Sequence, residues 1–177
     1  VAQISSYIDQ NQIIIHKGTL PSFFVGHMKK TNHKTLQKFC QKSSDLKIKI
    51  QLKENIKEKI WEKFIFLSAY SGITTLTKKT IGEIFENQKL REKFILAMKE
   101  TYNLSKIFKV SFRTDPVEYW LQKIKKMPYV MTSSMYIDYK NGSKLELDWL
   151  SGFIVKYSAD LDIECKVHKE ILDGIKL

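Results

Sequence analysis

The chain has 177 residues, of which 43% are hydrophobic and 12% aromatic, and this composition excludes an intrinsically disordered protein. Thirty lysines and arginines against nineteen aspartates and glutamates give a formal net charge of +11, which raises the question of a nucleic-acid partner. Only Arg91 and Arg113 are arginines, so the guanidinium forks that read guanine and clamp phosphate are almost absent. We therefore expect the lysines to form a solvated surface, with no nucleic acid as a partner.

No apolar run approaches the ~20 residues that span a bilayer, and the N-terminus carries no signal-peptide pattern. We expect a soluble, cytoplasmic protein that uses no membrane. Cys40 and Cys165 stand outside any Cys-x-x-Cys pair, which fits reduced thiols in the cytosol. The histidines show no zinc-ligand spacing, so we expect no metal site and assign packing or surface roles to His16, His27, His33 and His168.

The first 52 residues alternate short β-branched or aromatic runs with turn residues such as those at 18–21. The pattern predicts strands over residues 3–8, 12–16 and 22–26, a helix from Thr35 to Gln41, and a strand from Leu46 to Leu52. So few strands of this length bury little surface by themselves. We therefore interpret residues 1–52 as the edge of a larger sheet.

The hydrophobic spacing changes to the helical period at residue 53. The pattern predicts helices over residues 53–76, 80–86, 87–108, 116–127, 133–140, 145–160 and 166–175, with Asp115-Pro116 starting the fourth and Met127-Pro128 stopping it. In the first helix we expect one side to face the core: Ile56, Ile60, Phe64, Leu67 and Ser71. The fold class is therefore mainly α, with a helical domain over residues 53–177.

Between residues 132 and 152, polar side chains recur at helical spacing beside an apolar face. Ser134 and Asp138 stand four apart, so on a helix they share one face and can converge on one small ligand. Asn141-Gly142 would end that helix with a residue at positive φ. Glu146 would then open a new helix and head an apolar stripe that continues through Trp149, Leu150 and Phe153.

Glu146 and Lys63 each have a structural interpretation beside the functional one. Ser143 and Glu146 have the spacing of a capping box, in which the carboxylate serves only the helix start. Lys63 lies within roughly 40° of Ile56 and Leu67 around its helix, where a lysine can extend its ammonium to water. The other interpretation of Lys63 is a partly desolvated lysine suited to proton donation. The residue pattern leaves both choices open.

Two motifs carry a family resemblance. The first is Ile60-Trp61-Glu62-Lys63-Phe64, continued by Thr75-Leu76-Thr77 and Gly82-Glu83-Ile84. The second is Ser133-Ser134-Met135 with Asp138, Gly142, Glu146, Asp148 and Gly152, where several spacings agree together. Both resemble the C-terminal half of the ketopantoate reductase (2-dehydropantoate 2-reductase) family. Residues 1–52 are similar to the last strands of that family's nucleotide-binding half, so the likeness covers nearly the whole chain.

This resemblance implies an NADPH-dependent oxidoreductase of pantothenate biosynthesis that has two domains, with the active site in the cleft between them. The first would be a truncated Rossmann domain, and the second a helical domain like the C-terminal domain of 6-phosphogluconate dehydrogenase. The resemblance implies that Lys63 is the general acid beside the keto oxygen of ketopantoate or a related 2-oxo acid. Glu146 would orient the lysine and the substrate hydroxyl, and Ser134, with Asp138 on the same face, would bind the substrate. A homodimer is also compatible with it.

Two features depart from the family pattern. Leu67 and Ser71 stand where the family places substrate-binding asparagines, so these positions are expected to contact a substrate whose identity stays open. No Gly-x-Gly-x-x-Gly occurs in the chain, so its cofactor-binding residues are unknown. We expect the chain to be the C-terminal part of a longer enzyme and inactive alone. The alternative function is a helical dimerisation or interaction domain of the same fold without catalysis.

Overall fold

The computed structural model describes residues 1–4, 6–16, 22–28 and 34–175. The turn expected at residues 18–21, Ser5 within the first expected strand, and His33 lie outside the described residues. The chain divides into two compact units, Val1–Ile60 and Trp61–Leu177, and the division falls within one long helix. None of the described helices is both long enough and apolar enough to cross a membrane.

Among its described residues, the first unit has five short strands in two sheets. In one sheet, β4 (Ser22–Val25) pairs antiparallel with β1 (Ala2–Gln3) and parallel with β5 (Ile50–Leu52). In the other, β2 (Ser6–Ile8) pairs antiparallel with β3 (Ile14–His16). Helix α1 (Lys34–Asp45) connects the parallel pair. This strand–helix–strand connection is the unit from which parallel sheets are built.

The strand predicted from Leu46 is wrong over its first part, because α1 is longer than predicted and ends in a turn. Lys47 has a φ of 61°, and the amide of Ile48 donates to the carbonyl of Ser43 at 2.8 Å. This arrangement closes the helix as a Schellman motif does. Strand pairing therefore starts only at Ile50.

The rest of the chain is helical, which confirms the mainly α fold class. The described helices are α2 (Ile56–Thr77), α3 (Ile81–Glu86), α4 (Gln88–Ile107), α5 (Pro116–Ile124), α6 (Ser134–Lys140), α7 (Phe153–Asp160) and α8 (Lys166–Ile175). A π-helical turn, Asp148–Gly152, comes directly before α7. The order and type of these elements match the sequence prediction, with differences at individual ends.

Helix α5 shows one predicted end and one unpredicted end. The side chain of Asp115 accepts hydrogen bonds from the amides of Val117 and Glu118, which confirms the predicted start. The helix stops at Ile124, before the predicted stop at Met127. The ring of Pro128 therefore does not end α5, because a tight turn already precedes it.

Helix α2 provides the largest share of the hydrophobic core. Its buried core side chains are Ile65, Phe66, Ala69, Tyr70 and Ile73. On the side predicted to face the core, Ile56 and Ser71 are buried, whereas Ile60 is 39% exposed and Leu67 is half-buried. Apolar and small residues surround most of α2, so the spacing alone could not select the buried side.

A buried polar cluster ties the helices together around His168. Its Nε2 lies 3.0 Å from the carbonyl oxygen of Ala97, and its Nδ1 lies 3.0 Å from Oγ of Ser151. A carbonyl only accepts, so Nε2 carries the proton and Nδ1 accepts from the serine. Burial lowers the pKa of His168 to about 4, so the ring is neutral at pH 7. His168 is a packing residue, as the sequence analysis expected.

A carboxylate on α4 caps the start of α8. Glu100 is 6% exposed and accepts the amides of Val167 at 2.8 Å and His168 at 3.0 Å. These amides belong to the first turn of α8, where no intrahelical acceptor exists. Burial, and then the charge of Glu100, raise the pKa of Cys165 to about 12, so this thiol stays protonated and unreactive.

Candidate active site

One side of α2 carries three of the predicted site residues at successive turns. At 100° per residue, Leu67 and Ser71 lie about 40° and 80° around the helix from Lys63, and Thr74 lies about 20° from it. Lys63 and Leu67 are half-buried, whereas Ser71 and Thr74 are buried. We term these four residues the α2 strip. The strip holds the predicted acid and both predicted α2 contacts to substrate.

Helix α6 begins beside the α2 strip. Oγ of Ser133 lies 2.7 Å from Oγ1 of Thr74, and it also accepts the amide of Tyr136 as the N-cap of α6. The hydroxyl of Thr74 donates to the carbonyl of Tyr70 at 2.6 Å, so we assign Ser133 as the donor to Thr74. This bond anchors the first turn of α6 on α2. Ser134 consequently lies one residue from a direct contact with the strip.

Ser134 and Asp138 share one side of α6, as predicted from their spacing. Ser134 is exposed and Asp138 is half-buried. The helix ends at Lys140, and the φ of 65° at Gly142, two residues later, confirms the predicted break. The amide of Ser143 donates to the carbonyl of Asp138 at 2.9 Å and closes this end. The hydroxyl of Ser134 is therefore accessible to a ligand.

The sequence analysis missed the roles of Ser133 and Thr74. Ser133 is 2% exposed and Thr74 is 0% exposed, so both act inside the structure. A serine directly before a helical segment is a preferred N-cap, and this signal could have separated Ser133 from Ser134. The partner of Ser133 lies 59 positions earlier in the chain, and no local pattern indicates it.

The capping box predicted at Ser143 and Glu146 is wrong. The π-helical turn starts after Leu147, which makes no side-chain cap bond. The box therefore lies before the helix start that it was expected to serve. Glu146 is exposed, and only its backbone carbonyl supports the turn, accepting the amides of Trp149 and Leu150 at 3.1 Å each. Its carboxylate is not used by a helix cap.

The π-helical turn also disrupts the predicted apolar stripe. Leu150 is 7% exposed, but Trp149 is 77% exposed. A π turn contains more residues than an α-helical turn, so positions counted at the α-helical period from Glu146 no longer share a face. Trp149 therefore presents its indole to solvent within one turn of Glu146.

Ring contacts connect the start of α7 with α2. The rings of Phe153, at the start of α7, and Phe64 have centroids 5.7 Å apart. Phe108 lies between the two helices, with its ring 6.3 Å from Phe153, 5.7 Å from Tyr157 and 5.2 Å from Trp61. The start of α7 therefore packs on α2 at the level of Phe64.

The same ring contact bears on the segment that carries Glu146. Glu146 precedes Phe153 by seven residues, across a bend and the π-helical turn. Around α2, Leu67 and Ser71 lie between the side that meets α6 and the side that meets α7. These two residues therefore lie around α2 between Thr74, which bonds Ser133 of α6, and Phe64, which contacts Phe153 of α7.

Lys63 stands at the other end of the strip from α6. Eleven residues separate it from Thr74, about 16 Å along the helix axis. The side chain of Lys63 must therefore extend along the strip, towards Leu67, for one small ligand to contact both Lys63 and Ser134. Such a ligand would lie over Leu67.

Two open depressions on the described surface lie away from this strip. One, of about 340 Å³, is lined by residues of α5 and the turn before it, including Asp115 and Lys126. The other, of about 210 Å³, lies between α4 and α5. Neither contains a residue of the α2 strip, and we assign no chemistry to them. Within the described ranges, no group of three or more His, Cys, Asp or Glu residues could hold a metal ion.

The strand–helix–strand unit of the first 60 residues does not fit a dinucleotide. Pyrophosphate is held by a glycine-rich turn that leads from a strand into a helix. Between β4 and α1, the described residues 26–28 include one glycine, Gly26, and a Cβ at this position would lie 2.4 Å from the carbonyl oxygen of Lys53. Close backbone packing therefore explains Gly26. We assign no part of dinucleotide binding to the described residues.

The helical architecture and the spacing of these residues define a known class. Residues 55–177 match the family described as "Ketopantoate reductase PanE/ApbA C terminal". The chain therefore belongs to the ketopantoate reductase family, which confirms the resemblance seen in its motifs.

Three relatives illustrate the similarity. The chain is 25% identical over 176 residues to the "Uncharacterized oxidoreductase YkpB" of Bacillus subtilis (strain 168), covering 98% of this chain and 57% of that protein. A dimeric ketopantoate reductase from Staphylococcus aureus superposes with a TM-score of 0.84 at 20% identity, covering 99% of this chain and 59% of that one. A D-mandelate dehydrogenase with NADH and anilino(oxo)acetate superposes with a TM-score of 0.85 at 14% identity, covering 99% of this chain and 57% of that one. The two structural matches establish the fold, and the chain spans less than two thirds of each relative.

Proposed function

We propose that this chain supplies the substrate-binding and proton-donating part of a nicotinamide-dependent reductase that converts a 2-oxo acid to a 2-hydroxy acid. The observation that carries the proposal is the hydrogen bond between Thr74 and Ser133. It anchors the segment that bears Ser134 on the helix that bears Lys63. Membership of the ketopantoate reductase family supports the same conclusion.

Lys63 is assigned as the general acid. Addition of a hydride to a ketone leaves negative charge on the carbonyl oxygen, and an adjacent cation stabilises that charge and protonates the oxygen. In this step an N–H bond of the Lys63 ammonium breaks while the O–H bond of the product forms. Lys63 is half-buried, and partial removal from water strengthens its attraction to the developing charge.

Glu146 and Ser134 are assigned to positioning and to substrate binding. The carboxylate of Glu146 takes no part in a helix cap, and we assign it to directing the Lys63 ammonium towards the substrate. The hydroxyl of Ser134 can donate to the carboxylate of a 2-oxo acid. Asp138, one turn later, forms the outer boundary of this substrate-binding side.

In finer detail, we propose that the whole protein uses NADPH, reduces ketopantoate or a related 2-oxo acid in pantothenate biosynthesis, and acts in the cytoplasm as a homodimer. The family description supports the reaction, and the dimeric relative from Staphylococcus aureus supports the assembly. The D-mandelate dehydrogenase relative was solved with NADH, so both nicotinamide cofactors belong in the assay. The nicotinamide would supply the hydride, and its binding is placed outside the described residues.

A second candidate function is a helical interaction domain of the same fold without catalysis. Leu67 favours it, because an apolar side chain at the centre of the α2 strip offers a 2-oxo acid no hydrogen bond. The two candidates predict opposite results in a turnover assay. An interaction domain would reduce no 2-oxo acid with either cofactor.

The test is made on the whole gene product, with NADPH or NADH and a panel of 2-oxo acids. We expect reduction of at least one of these acids, and we expect Lys63→Ala to lower kcat by about 100-fold or more. The dissociation constant of the cofactor, measured by fluorescence, should change little. Lys57→Ala is the matched control, because Lys57 is an exposed lysine on the same helix. Unchanged turnover in Lys63→Ala would remove Lys63 from the mechanism.

A further inference from the structure

Leu67 is the residue over which a ligand of the candidate site must lie. It sits between Lys63 and Ser71 on the α2 strip, and it is half-buried against the hydrophobic core. Its side chain is therefore held in place by packing and still presents part of its surface. A fixed apolar surface at the centre of a site selects ligands by their shape and polarity.

We propose that Leu67 determines specificity in this site and selects 2-oxo acids whose side chain carries no hydroxyl group. The proposal rests on the proposed function and, of the two substrate alternatives given there, favours a related 2-oxo acid over ketopantoate. A hydroxyl that is pressed against methyl groups loses its hydrogen bonds to water and gains none in return. An alkyl group in the same place loses nothing and buries apolar surface.

The other groups of the strip do not offer a replacement hydrogen bond. The hydroxyl of Thr74 is already engaged with the carbonyl of Tyr70 and with Ser133. Ser71 is 1% exposed and presents little surface to a ligand. A substrate hydroxyl near Leu67 would then compete for the carboxylate of Glu146. That contact would compete with the role of Glu146 in directing Lys63.

The π-helical turn adds a second apolar surface beside Glu146. Trp149 is 77% exposed and follows Glu146 by three residues, and its amide donates to the carbonyl of Glu146 at 3.1 Å. An indole so exposed within a turn of a site residue can cover an alkyl group that extends past Leu67. Both apolar surfaces therefore favour an apolar substituent.

The test compares two substrates that differ by one hydroxyl group: trimethylpyruvate and ketopantoate, its hydroxylated counterpart. With the whole gene product and its preferred nicotinamide cofactor, we expect kcat/KM for trimethylpyruvate to be higher by about 10-fold to 100-fold. Leu67→Asn supplies an amide at the same place and should shift the ratio towards ketopantoate by about 10-fold or more. Leu96→Asn is the matched control, since Leu96 is 46% exposed on α4, outside the strip, and should leave the ratio unchanged.

The outcomes separate this inference from the proposed function. A wild-type preference for ketopantoate would overturn the role of Leu67 while leaving the reductase proposal intact. An equal change of both kcat/KM values in Leu67→Asn would also overturn it, because a purely structural role does not alter a ratio. If the whole gene product reduces neither of these acids nor any other 2-oxo acid in the panel, both proposals are overturned. If Leu67→Asn fails to fold, the wild-type ratio and Leu67→Thr carry the same test.

Discussion

His168 shows at the scale of one residue how burial makes the stability of this protein depend on pH. Burial lowers its pKa from 6.5 to about 4, and an unfolded chain restores the ordinary value. Between these two values the unfolded state binds a proton that the folded state does not. The stabilisation is thus fully present above about pH 6.5 and is lost as the pH falls towards about 4. A difference of this size corresponds to about 3 kcal/mol in the free energy of unfolding, measurable by urea unfolding across that range.

The variant His168→Gln separates this effect from the titration of other groups. It should be less stable than the wild type at pH 7, because the hydrogen bonds to Ser151 and Ala97 are disturbed. It should also lose less stability than the wild type between pH 6.5 and 4, since glutamine does not titrate. An equal loss in the two proteins would show that His168 does not cause the dependence.

Single residues also mark how far sequence reasoning reached in the candidate site. The family resemblance indicated Lys63 and Ser134 as site residues. Lys63 lies on α2, and the segment that carries Ser134 is bonded to α2 through Ser133. The adjacent serines could not be told apart, because the difference between them depends on a contact with Thr74 from a distant part of the chain. The reading of Glu146 as a cap failed for a related reason. The helix start moved when the chain formed a π-helical turn.

At the scale of elements, one buried hydrogen bond holds α6 on α2, and we predict that its loss affects both stability and substrate binding. Thr74→Val keeps the shape of the side chain and removes the acceptor for Ser133. The change should lower the free energy of unfolding by about 1 kcal/mol, the usual net value of a buried neutral hydrogen bond. Because the segment with Ser134 would lose its anchor, KM for the 2-oxo acid should rise more than kcat falls. Urea unfolding and steady-state kinetics measure the two effects.

A double-mutant cycle with Ser133→Ala isolates this bond from the capping of α6. Ser133→Ala also removes the acceptor for the amide of Tyr136. This single variant should therefore lower the free energy of unfolding by more than Thr74→Val does. The coupling between the two changes should be about 1 kcal/mol. Thr77→Val is the control, since Thr77 bonds only within α2, to the carbonyl of Ile73 at 2.7 Å. No coupling in the cycle would argue against an energetic link between α2 and α6.

The elements that followed the sequence prediction are those whose ends depend on local chemistry. Asp115 starts α5 and Gly142 ends α6, and each acts on neighbours within a few residues. The elements that departed from the prediction are those in which two neighbouring elements compete for the same residues. Leu46 has the alternation of a strand, but the preceding helix continued to its own closing turn at Lys47. Period and composition contain no information on which of two adjacent elements extends further.

At the scale of the whole molecule, the change in hydrophobic period near residue 53 was a sufficient guide to the class of fold. It separated short strands from helices, and α2 does begin close to that position, at Ile56. The hydrophobic period does not indicate how the helices pack on one another. The packing of α7 on α2 depends on the ring contact between Phe64 and Phe153, which is a property of the assembled core.

The distribution of the core leads to a last prediction, that residues 54–177 fold without the preceding chain. Every described member of the main hydrophobic cluster lies between Phe64 and Ile175, so the helical part contains its own core. The protein comprising residues 54–177 should show a helical circular dichroism spectrum and one cooperative urea transition. A matched chain that ends at Ile163 lacks α8, whose Ile171 and His168 are fully buried, and it should not show a cooperative transition. A non-cooperative transition in the longer chain would mean that the first unit is needed to complete the core.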